Sequence, residues 1–96
     1  MAKKNNSYRL NLEALSLKEE GIEKPSITLE FENHDEIFTI IENLKEKNPF
    51  GGKNQAVEFA IGIKLFAEVM IRNRQHSLFE DFFVEVKTFM KKLKRI

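Results

Sequence analysis

The chain has 96 residues, 42% of them apolar, a formal net charge of +1 and no cysteine. That length suits one domain with a modest core, the missing thiols exclude a disulfide framework and a cysteine-ligated metal, and the near-balanced charge argues against general affinity for nucleic acid. Nine Phe and no Trp make phenylalanine the main source of buried area, at roughly 150–250 Å² per ring.

Met1 to Asn6 is polar and is expected to be a mobile arm ahead of a single α+β domain over residues 7–96. Its two lysines have no apolar run behind them, so a signal peptide is not expected and the cytoplasm is the expected compartment. Tyr8, Leu10, Leu12 and Ala14 then alternate with Arg9, Asn11 and Glu13, the period of a half-buried strand. The charged stretch after Ala14, with Gly21 and Pro25, predicts a long hairpin loop. Ile27, Leu29 and Phe31 alternate with Thr28, Glu30 and Glu32 as a second strand, giving an antiparallel hairpin.

Asn33 and Glu36 stand three apart before an apolar periodic run. The spacing predicts a helix capped by Asn33, with Glu36 reaching back. Ile37, Phe38, Ile41 and Leu44 form its apolar face, and Pro49 should end it near Asn48. A second helix is expected from Asn54, as cap, to Arg72. It is apolar around most of its girth, with charge confined to Glu58, Lys64, Glu68 and Arg72. Gly62 inside it points to a close backbone approach, because glycine costs roughly 1 kcal/mol against alanine in a helix. Even so, the three charges at Glu58, Lys64 and Glu68 argue against a membrane span. Ser77 and Glu80 make a capping box for a third helix, which carries Leu78, Phe79, Phe82, Phe83, Val86, Phe89, Met90 and Leu93 and ends in Lys91, Lys92, Lys94 and Arg95. The expected architecture is ββααα, with three helices packed on one face of the hairpin.

The segments "YRLNLEAL", "FENHDEIFTIIENLK" and "AVEFAIGIKLFAEVMIRNRQHSLFEDFFVEVKTFMKKLK" resemble a family of small bacterial proteins known as domain of unknown function 3861. The resemblance runs from Tyr8 to Lys94. It implies a bacterial, cytoplasmic, stand-alone α+β domain and carries over no catalytic residue. The hairpin loop, Lys18 to Pro25, is where members are expected to vary.

No polar motif supplies a catalytic constellation. His34 and His76 each stand at a predicted helix start, with no His-x-x-x-His pair, so neither a catalytic site nor a metal site is expected. The run Gly51-Gly52-Lys53-Asn54 lacks the first glycine, the hydroxyl residue and the preceding strand of a phosphate loop. Ser7, Ser16, Ser26 and Ser77 occupy no nucleophile elbow. Glu30 and Glu32 share a strand face opposite Leu29 and Phe31, where a solvated setting leaves carboxylates ordinary. No enzymatic activity and no cofactor is expected.

A ribbon-helix-helix DNA-binding regulator is the main alternative, since residues 51–96 carry 9 basic and 5 acidic side chains, against 7 and 10 in residues 1–50. Its ribbon would present Thr28, Glu30 and Glu32 to the groove, which phosphates disfavour. Docking of the last helix on a membrane surface is disfavoured by Glu80, Asp81 and Glu85. An enzyme of unknown type is the remaining alternative. The favoured expectation is a protein–protein interaction or regulatory domain, working as a homodimer with a further protein partner. Phe50, Arg72, Arg74 and His76, in turns or at helix ends, are the candidate interaction surface.

Overall fold

The alternation from Tyr8 to Glu13 produces the expected strand, in a computed structural model that describes residues 5–19, 21 and 25–96. Strand β1 spans Asn6–Glu13 and β2 spans Ser26–Asn33. They pair antiparallel, with Tyr8 opposite Phe31, Leu10 opposite Leu29 and Leu12 opposite Ile27. Opposed residues point to the same side of a sheet, so this register gathers the apolar side chains on one face. Arg9 opposite Glu30 and Asn11 opposite Thr28 occupy the other. The Tyr8 and Phe31 rings stack at 5.5 Å, and the Tyr8 hydroxyl donates to the Asp35 carbonyl at 3.0 Å. The expected N-terminal arm falls partly on residues 1–4, outside the described residues, and Asn6 already belongs to β1.

Three helices follow: α1 (Ile37–Lys47), α2 (Lys53–Arg72) and α3 (Phe83–Lys94). The chain is thus an α+β, ββααα protein. All three helix starts differ from expectation. Asn33 remains in β2, paired with Asn6, so its backbone cannot open a helix. Its side-chain oxygen accepts instead from the Asp35 N–H at 2.9 Å, a local Asx turn in a residue only 1% exposed. Glu36 takes over the cap, its carboxylate accepting from the N–H groups of Phe38 and Thr39, both at 3.0 Å. The Thr39 hydroxyl above all holds the Glu36 carboxyl below its ordinary pKa; desolvation pushes it up less strongly, and the two amides lower it further. At the other end of α1, Asn48 adopts the left-handed conformation (φ 49°) and donates its N–H to the Leu44 carbonyl. Pro49 follows, as the sequence predicts.

Helix α2 begins one residue before Asn54, with Gly52 at the cap position and no side-chain cap. The turn before it needs glycine at Gly51, where φ is +74°. Helix α3 begins six residues after Ser77. Residues 77–82 form turns, in which the His76 carbonyl accepts from Phe79 and Glu80, and the His76 Nδ1 accepts from the Leu78 N–H at 3.1 Å. Ser77 therefore lies outside α3, whose first turn follows Phe82 with no side-chain cap.

The chain divides into two compact units, a hairpin unit ending at Asp35 and a helical unit, Glu36–Ile96. Within the helical unit, α1 packs on α2. Ile37, Ile41 and Leu44 fall on one stripe of α1 and are buried. Ala56 and Ala60 of α2 are fully buried, and small residues there let two helices approach closely. Helix α3 joins through buried Val86 and ring contacts from Phe59 to Phe89 at 6.2 Å and from Phe66 to Phe82 at 6.4 Å. The Lys47 ammonium also bonds the Ile96 carbonyl.

Gly62 does not mark a close approach. It is exposed, and a Cβ there would meet nothing within 4 Å. Gly62→Ala should therefore raise the unfolding free energy by about 0.4–1 kcal/mol, through the lower entropy of the unfolded chain. A higher urea midpoint at unchanged slope is the expected readout.

Candidate interaction surface

Three of the four expected surface residues gather at one end of α2. Arg72 is its last residue, with Nε directed to the Glu68 carbonyl at 3.4 Å. Arg74 and His76 follow in the exposed turn, the latter held by the Leu78 amide. Phe50 precedes α2, and its ring packs on Phe59 at 5.1 Å while staying 43% exposed. The 20 residues of α2 span about 30 Å. Phe50 is therefore at the opposite end of the helix from Arg72, Arg74 and His76, and the four do not make one patch.

Larger apolar surfaces are found elsewhere. On the hairpin, Leu12 and Ile27 stand opposite one another and are 66% and 64% exposed, with Leu29 beside them at 45%. Leu12 and Ile27 border an open groove of about 290 Å³, lined also by Glu13, Ala14, Pro25 and Ser26. On the helical unit, Phe66 contacts Phe79 and Phe82, and Phe66, Val69 and Phe82 stay 40–48% exposed. Exposed side chains of this kind scattered singly are ordinary, but contiguous sets mark surfaces that meet something. The alternation that buries one strand face would have located the hairpin set in the sequence. What it does not carry is whether that face is covered.

The polar face of the hairpin carries Arg9, Glu13, Glu30 and Glu32 as its charged groups, with Arg9 bonded to Glu30 at 2.9 Å. His34 lies 3.5 Å from the Asp35 carboxylate. Among the described residues no set of three His, Asp or Glu groups gathers to hold a metal ion. No helix among them is long and apolar enough to cross a membrane.

The fold and these surfaces define a small α+β protein made of a hairpin and a helical unit, each with exposed apolar side chains. The chain belongs to the DUF3861 family, a domain family of unknown function with a solved structure, whose model matches residues 6–95. It is similar to a crystal structure of a protein of unknown function from Pectobacterium atrosepticum, at 32% identity and a TM-score of 0.83, over 96% of this chain and 99% of that one. Comparison with functionally curated proteins finds no match.

Proposed function

We propose that this chain is a non-catalytic protein–protein interaction or regulatory domain of the bacterial cytoplasm, and that it works as a homodimer with a further protein partner. The observation that carries the reading is the exposure of contiguous apolar side chains on both units: Leu12, Ile27 and Leu29 on the hairpin, and Phe66, Val69 and Phe82 on the helices. Burying one Leu, Ile or Phe side chain fully is favourable by about 1.5–3 kcal/mol. Six such side chains, each partly exposed, give association a substantial driving force before its entropic cost. Twofold pairing is the commonest way for a soluble chain to cover such surface.

A nucleic-acid role finds less support. The polar face of the hairpin presents one cation against three carboxylates, a poor match for phosphate. Sedimentation equilibrium over a wide concentration range should give a mass near twice the 11.3 kDa of the chain. A mass of one chain at every concentration would overturn the homodimer. Tight binding of random duplex that weakens steeply with salt would favour the nucleic-acid alternative instead.

A further inference from the structure

A hairpin has two free edges, and the charges along its strands decide which of them can meet a second copy. Strand β2, Ser26–Asn33, carries Glu30 and Glu32 and no basic residue. No antiparallel pairing of β2 with its own copy sets a carboxylate opposite a cation, and several set Glu against Glu. Like charges directly opposite one another destabilise a strand pair.

Strand β1, Asn6–Glu13, differs. It carries Arg9 and Glu13 on the polar face, four residues apart, with Asn11 midway. A twofold axis through Asn11 sets Arg9 of each copy opposite Glu13 of the other, twice. The same register sets Leu10 opposite Leu12, twice, on the apolar face. An axis through Arg9 or Glu13 opposes like charges. An axis through Leu10 or Leu12 pairs neither charge with its opposite. An axis between residues sets apolar side chains against polar ones, because a one-residue slip reverses the faces.

We infer that β1 pairs antiparallel with β1 of a second copy about a twofold axis through Asn11, joining two hairpins into one four-stranded sheet. This rests on the proposed homodimer and assigns its surface. The groups are positioned for it. Arg9 already bonds Glu30 through Nε and one terminal nitrogen, at 3.1 and 2.9 Å, and its side chain is 70% exposed. A guanidinium has five N–H donors, so Arg9 can bind a second carboxylate. Glu13 accepts from the Asn11 amide at 3.0 Å through one oxygen and has the other to offer. The joined sheet makes one continuous apolar face from Leu10, Leu12, Ile27 and Leu29 of both copies.

Because the chain has no cysteine, a single introduced one reports only on itself. Residues directly opposite in an antiparallel pair have Cα atoms about 4.5–5.5 Å apart, within the roughly 4.4–6.8 Å that a disulfide spans. Asn11→Cys should therefore give an interchain disulfide under mild oxidation. Arg9→Cys alone and Glu13→Cys alone should link at least ten-fold less, since each lies about 13 Å from its own symmetry mate. Mixing those two variants should restore the link. Independently, Glu13→Arg turns both ion pairs repulsive and should raise the dimer Kd about ten-fold.

Outcomes separate the two proposals. A wild-type chain that sediments as a monomer overturns the homodimer and this surface together. A wild-type dimer in which Asn11→Cys links no faster than Arg9→Cys, or in which Glu13→Arg leaves Kd unchanged, overturns this surface and leaves the homodimer standing.

Discussion

Ile41→Ala should lower the unfolding free energy by about 2–5 kcal/mol, the cost of removing buried methylenes and leaving a cavity. Ile41 is 8% exposed and sits midway along the buried stripe of α1, between Ile37 and Leu44. That stripe belongs to the packing of α1 on α2, where Ala56 and Ala60 are fully buried. A domain of this size holds about 5–15 kcal/mol in all, and each 1 kcal/mol shifts Tm by about 4–8 °C. Ile41→Ala should thus melt at least 8 °C below the parent at matched protein concentration. Val84→Ala is the control: Val84 is 65% exposed on α3, and its truncation should stay within about 0.5 kcal/mol. Equal losses from the two variants would mean that the buried stripe of α1 is not the core.

Asn33→Ala should cost about 1–3 kcal/mol, though the residue sits at a strand end. The residue is 1% exposed, and its side-chain oxygen accepts the Asp35 N–H at 2.9 Å. Truncation takes this acceptor away from the half-buried Asp35 N–H and removes a buried polar side chain from its partners. Asn33→Ser should recover part of the loss, because a hydroxyl makes the same kind of local turn more weakly. Amide hydrogen exchange at Asp35 should speed up in Asn33→Ala and less in Asn33→Ser. A purely helix-capping Asn33 would instead loosen the first amides of α1, whose cap the structure gives to Glu36.

The hairpin was legible because a strand with one apolar face must alternate, and Tyr8, Leu10 and Leu12 do so against Ile27, Leu29 and Phe31. The bodies of the helices were legible for the same reason at a period near 3.6. The helix starts were not. A capping pattern says which side chain can accept from free amides, but several nearby side chains can. Asn33 lost the role because β2 pairs through it, and Ser77 because the chain runs on in turns as far as Phe82 before α3 begins. Gly62 suggests a contact in the sequence and faces open space in the structure, because a missing side chain has no sign of its own: it accompanies close packing in one place and open space in another. Of the candidate surface residues, only their placement follows from the chain. Arg72, Arg74 and His76 are adjacent in the chain and stay together, but Phe50 is separated from them by the length of α2.

The sequence by itself determined the order of elements, the pairing face of the hairpin, the absence of thiol chemistry and the charges along each strand, because each of these follows from local period or composition. Tertiary structure alone decided which apolar side chains are covered. Ile41 and Leu12 are equally apolar, and both fall on the apolar face of a periodic element. One lies on α1, which packs on α2, and is buried; the other stands opposite Ile27 with two-thirds of its surface exposed. Burial depends on what arrives from elsewhere in the chain, or from a second copy of it, and no local pattern contains that.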